Sequence, residues 1–161
     1  MQQRWKQQLS LEQALQKARH YCAYQERCHS EVKEKLYGFG LRKNDVEEAL
    51  SRLIEDNYLN EERFAIQFAG GRFRMKQWGK VKIRYELKQK QVGEYCIKKA
   101  LAAIGEDDYD HMLTKLVEDK WEALQDEEPY IRRQKTQNYL VQKGYESDRI
   151  HAALAEIKGK T

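Results

Sequence analysis

An all-α chain of three tandem three-helix repeats in an elongated, curved arrangement is the fold class this sequence predicts, on three observations. Helix-breakers are scarce: the 161 residues include nine glycines and one proline, Pro129, against 40% hydrophobic and 35% charged residues. An internal pattern recurs, anchored on Leu36, Leu87 and Leu140, which stand 51 and 53 residues apart. Behind each anchor, apolar residues return at helical offsets.

The match extends well past the anchors. Four positions on stands a turn residue (Gly40, Gln91, Gly144), and five on an apolar or aromatic one (Leu41, Val92, Tyr145). Further along, Val46, Ala49, Leu50 and Leu53 correspond to Ile97, Ala100, Leu101 and Ile104, and to Ile150, Ala153, Leu154 and Ile157. Each set traces one face of a helix. Recurrent breaks around Gly38, Gly40, Gly93, Gly105 and Gly144 set aside the alternative of one long coiled coil.

In order along the chain, the first repeat covers residues 10–59. Ser10 and Gln13 have capping-box spacing and open a helix whose apolar stripe is Leu11, Ala14, Leu15, Ala18, Tyr21 and Cys22. Ser30 is expected to cap the second helix, and Asn44 with Glu47 the third. The second repeat, 60–105, begins at Asn60, which caps a helix turning Phe64, Ala65, Phe68 and Ala69 inward. The third, 108–158, buries Met112, Leu113, Leu116, Val117, Trp121 and Leu124, and Pro129 fits the first turn of its second helix. Asp126, Glu127 and Glu128 suit the positive end of that helix dipole. Units this small bury little apolar surface alone, so neighbours are expected to lean on one another.

Charge is uneven. Residues 63–99 hold eleven Lys or Arg against two glutamates, in a chain whose formal net charge is only +4. A solvated helix face usually mixes signs, whereas this many cations repel one another unless a polyanion relieves them. Nucleic acid is the expected partner, single-stranded or duplex. Arg72, Arg74, Lys76, Lys80, Lys82, Arg84, Lys88, Lys98 and Lys99 are its candidate contacts, with Trp78 interleaved among them. Arg63, Gln67 and Arg74 form a second polar stripe, and Phe73 and Tyr95 fit either the core or this surface. Ten acidic residues against two lysines in 105–128 read as a solvated face, a docking surface for protein, or a guard that keeps DNA to one side.

Catalytic and metal chemistry find no support. His20, Cys22, Cys28 and His29 lack the paired spacing of a zinc framework, and Asp107, Asp108 and Asp110 lack the downstream residues of a calcium loop. No Walker loop, GxSxG or HExxH is present. The chain is expected to be a monomer without enzymatic activity, metal or cofactor. Its odd count of three cysteines, with no long apolar run, points to the cytoplasm and to no membrane.

Two segments carry a family resemblance. Asn57 to Ala65 (NYLNEERFA) and Trp78 to Val92 (WGKVKIRYELKQKQV) resemble the central signature of the RecX family of bacterial recombination regulators, and Ala14-Leu15, Ser30, Glu31, Lys35 and Leu36 match it in part. The resemblance implies three three-helix repeats lying in the groove of a RecA–DNA filament, inhibiting recombinase ATPase and strand exchange or promoting filament disassembly. It places Lys80, Lys82, Arg84 and Lys88 on the family's basic central helix, and adds Arg132, Arg133 and Lys135 of the third repeat. Where the family has Lys-Gly after that helix, Lys90 is followed here by Gln91, so Gly93 is expected to supply the left-handed turn residue. The competing readings are a free-standing helical DNA-binding module, such as a transcriptional regulator, and a scaffold that binds only protein.

Overall fold

A computed structural model describes residues 8–159 of the chain. Among them are nine helices and no strand: α1 (Leu11–Tyr24), α2 (His29–Gly38), α3 (Lys43–Glu55), α4 (Glu61–Lys76), α5 (Lys80–Gln89), α6 (Glu94–Ala102), α7 (Glu106–Ala123), α8 (Pro129–Lys143) and α9 (Ser147–Gly159). Two compact units result, the first comprising the chain up to Gln67 with Leu87–Ile97, the second Phe68–Glu86 with the chain from Lys98 onward. Helices α4, α5 and α6 each contribute to both.

In the first unit, α1, α2 and α3 close over Leu15, Val32, Leu36, Val46 and Leu53, all fully buried. Ser10 caps α1 as its spacing predicts: its hydroxyl accepts the Gln13 N–H at 3.2 Å, and its own N–H donates to the Gln13 side chain at 3.0 Å. The other two expected caps are displaced. Helix α2 starts at His29 with Cys28 in the cap position, whose N–H donates to Glu31. Ser30 lies inside the first turn, and its hydroxyl donates instead to the carbonyl of Lys90 at 2.7 Å. Helix α3 starts at Lys43 after Arg42, which makes no side-chain cap, so Asn44 is a helix residue. Arg63, on the polar stripe expected of it, is engaged by Glu26, whose carboxylate accepts from its Nε at 2.5 Å.

In the second unit α7, α8 and α9 enclose Tyr109, Leu116, Leu140, Ile150 and Leu154. Pro129 stands in the first turn of α8, where its missing N–H costs nothing. Phe73 is buried, and its ring lies 5.9 Å from that of Tyr109, which in turn lies 5.2 Å from Tyr145. Burial, together with the bond it donates to Glu146, drives the Tyr109 phenol far above its ordinary range. Tyr95, by contrast, is exposed.

The three anchor turns share a left-handed residue. Gly40, Gln91 and Gly144 have φ of 89°, 63° and 98°, each left-handed. After two of them the chain makes the same return bond, Val92 N–H to Leu87 and Tyr145 N–H to Leu140, both at 3.1 Å. Gln91 therefore adopts the left-handed conformation itself, and Gly93 is not among the positive-φ residues. A local Schellman bond pattern outweighs the glutamine's steric cost.

Gly144 also meets Gly79. The Gly79 N–H donates to the Lys143 carbonyl at 2.8 Å and the Val81 N–H to the Gly144 carbonyl at 2.9 Å, while the Lys80 N–H donates to the Tyr109 hydroxyl at 3.0 Å. Amides left unpaired at the start of α5 are thus satisfied by carbonyls left unpaired at the end of α8, the two helix dipoles meeting positive end to negative end. No side chain fits between them. A Cβ on Gly79 would sit 2.3 Å from the Gly144 oxygen, and one on Gly144 would sit 2.2 Å from the Lys82 Cβ.

Opposite outcomes are expected at the two turns in thermal or denaturant unfolding. Gln91→Gly relieves a left-handed side chain and raises stability by about 0.5–1 kcal/mol. Gly144→Ala adds both left-handed strain and a clash with α5, and lowers it by about 3 kcal/mol.

Candidate nucleic-acid interface

Trp78 is the centre of a cluster of three cations. Helix α4 ends at Lys76 because Gln77 turns left-handed (φ 60°), which carries the Trp78 N–H back to the Arg72 carbonyl at 3.2 Å. The Tyr145 hydroxyl holds this turn by donating to the Gln77 carbonyl at 3.0 Å. Arg72, Lys76 and Lys82 then lie over the indole, at 5.5, 5.6 and 4.6 Å from its centroid. Arg72 and Lys76 share a face of α4 at i and i+4 and favour its C-terminal dipole. Lys82 does the opposite. It sits in the first turn of α5, against the positive end of the dipole, with no carboxylate within ion-pair distance among the described residues.

Helix α8 completes the surface. Its last turn brings Tyr139, Gln142 and Lys143 opposite Trp78 and Lys82 to line a cleft of about 220 Å³, and no carboxylate is among the lining residues. Lys143 donates to the Lys76 carbonyl at 3.1 Å, and Lys120 lies 4.7 Å from the Tyr139 ring centre. Five cations, Arg72, Lys76, Lys82, Lys120 and Lys143, thus border two aromatic rings within the second unit. A larger cleft in the first unit, about 500 Å³ lined by Tyr21, Lys35 and Phe39, includes Glu31 and Glu34. Those carboxylates oppose a polyanion.

The remaining predicted contacts have other surroundings. Lys80 is largely buried, 4.8 Å from the Tyr109 ring centre and 3.4 Å from Glu106. Arg149 bonds to Glu106 at 2.9 Å and to Asp110 at 2.7 Å, and its hydrogen bond, with help from Lys80, holds the Glu106 carboxyl below its usual range. Part of the acidic stretch is therefore spent inside the unit. Arg132 donates to the Trp121 carbonyl at 2.7 Å and stacks on that ring, and Lys135 pairs with Glu127. Arg133 and Arg84 are partly exposed; Arg74, Lys98 and Lys99 are exposed, as is Lys88, which belongs to the first unit.

Tyr139, Gln142, Lys143 and Lys120 were not predicted from the charge map. Lys143 had one usable signal: it occupies the repeat position of Lys90, just before the left-handed turn. Nothing local marks Tyr139, which lines the cleft because α8 ends against α5.

Comparison with known proteins places the chain. The family model described as RecX, second three-helix domain, matches residues 60–101, and that of the third three-helix domain matches residues 106–154. The regulatory protein RecX of Prosthecochloris aestuarii is 32% identical over 144 residues, covering 89% of this chain and 93% of that protein. The chain belongs to the RecX family. Its match to the regulatory protein RecX of Bacillus cytotoxicus is 29% identical and covers 86% of this chain but only 51% of the relative, so the chain spans about half that protein's length. The crystal structure of RecX from Lactobacillus salivarius superimposes with a TM-score of 0.85 at 20% identity, covering 92% of this chain and 96% of the other, which shows a shared RecX fold.

If each cation around Trp78 and Tyr139 meets one phosphate, the logarithm of single-strand affinity falls with log salt at a slope of about −3.5. Lys82→Gln is expected to reduce that slope by about 0.7. A fluorescence-anisotropy titration of an oligonucleotide at several salt concentrations measures both.

Proposed function

We propose that this RecX-family chain is a non-catalytic regulator of a RecA recombinase, binding in the groove of the RecA–DNA filament and inhibiting ATP hydrolysis and strand exchange. Family membership supports regulation. The observation that carries the DNA contact is the convergence of Arg72, Lys76, Lys82, Lys120 and Lys143 on a carboxylate-free aromatic cleft. Backbone phosphates suit such a surface without any sequence readout.

On this reading the modules are the sequence repeats 10–59, 60–105 and 108–158. The basic middle one faces DNA together with the end of α8, and the flanking surfaces touch recombinase protomers. Regulation requires no chemistry from the chain itself. It requires occupancy of a groove that strand exchange needs, at a position set by DNA and protein jointly. The chain acts as a monomer in the cytoplasm, where its three free cysteines remain thiols. No helix among the described residues is long and apolar enough to cross a membrane.

Adding the protein to RecA preformed on single-stranded DNA is expected to lower ATP turnover and strand exchange together. The doubly reversed variant Lys76→Glu/Lys82→Glu is expected to need about tenfold more protein for the same effect. Unchanged turnover at saturating protein contradicts the proposal. Sequence-preferring duplex binding with no response from RecA would instead identify a free-standing DNA-binding module.

A further inference from the structure

We infer that the Trp78–Tyr139 cleft receives an unpaired nucleobase, so that the chain distinguishes single-stranded from duplex DNA by stacking. The inference rests on the DNA contact proposed above, and not on the recombinase. Phosphate neutralisation needs only cations, yet this site is built around two aromatic rings that line a cleft between α8 and the turn before α5. The opening, of about 220 Å³, is lined further by Gln142, Lys82 and Lys143. Gln142 brings an amide with both donors and an acceptor, as a base edge requires.

The chemistry of the rings favours a base over other occupants. Trp78 is only partly exposed, and backbone bonds from its N–H and to the Gln77 carbonyl fix the turn that carries it, so the main chain presenting the ring is set before any ligand arrives. Lys82 and Lys76 lie over its face, and Lys143 lies 5.8 Å from the Tyr139 centroid. An ammonium on a part-exposed ring is a weaker partner than a stacked base, and a base brings its own phosphate for the displaced ammonium to meet. An acidic peptide would satisfy the cations and leave the rings without a stacking partner. Bases in a duplex are paired and stacked already, and opening them costs free energy. A flexible single strand has no such cost.

The test compares an oligothymidylate with an abasic deoxyribose-phosphate strand of the same length, by fluorescence anisotropy at one salt concentration. The thymidylate is expected to bind about tenfold more tightly, and Trp78→Leu, a substitution at a part-exposed position, to close that gap. In a Trp5→Phe/Trp121→Phe background the remaining indole should be quenched by the thymidylate and much less by the abasic strand. This reading does not depend on the leucine variant folding. Equal binding of the two strands by the unsubstituted protein overturns the base-binding inference and leaves the phosphate contact standing. Binding of neither strand overturns both.

Discussion

The docking of α8 on α5, backbone to backbone, is the constraint on which the second unit depends. Helix ends leave amides and carbonyls without partners, and proteins usually spend side-chain caps on them. Here two ends satisfy each other through Gly79–Lys143 and Val81–Gly144, with Lys80 completed by the Tyr109 hydroxyl. The approach is so close that neither glycine has room for a methyl group. A hydrophobic contact would have tolerated sliding; paired hydrogen bonds between main chains do not. The same docking sets Lys82 beside Gly144 and brings Lys143 to the end of α4, so the cations around Trp78 are positioned by backbone geometry more than by their own side chains.

Much of the architecture is legible in the sequence because it depends on short-range rules. Helical periodicity predicts the buried faces: Val46, Ala49 and Leu53, and likewise Ile97 and Ala100, are fully buried. All three turn positions found by counting from the leucine anchors are left-handed. The departures are at helix caps. Ser30 and Asn44 have good capping chemistry, but Ser30 finds a partner sixty residues away in Lys90 and Asn44 lies a residue inside α3. Gln91 shows the converse, since its bond pattern holds it where propensity favours glycine.

The site is less legible than the fold for a physical reason. A charge map counts cations without saying which are already occupied, and carboxylates distant in sequence decide that. Glu106 engages Lys80, Glu127 engages Lys135, and the Trp121 carbonyl takes Arg132. What separates Lys82 from Lys80, two residues apart on one helix, is the neighbour that α7 supplies. Conversely, Lys143 and Tyr139 reach the cleft because of where α8 ends. The basic segment 63–99 therefore names the region, and tertiary packing decides which of its cations already have carboxylate partners and which lie beside residues of α8.

Photocrosslinking tests the central claim most directly. Bromodeoxyuridine-substituted single-stranded DNA, free and within a RecA filament, is irradiated with the bound protein and the attached residues are identified by mass spectrometry. The account predicts attachment at Trp78 and Tyr139 in both states, with Gly79→Ala abolishing it. Attachment confined to the exposed tyrosines Tyr24, Tyr58, Tyr85, Tyr95 and Tyr130 would contradict it.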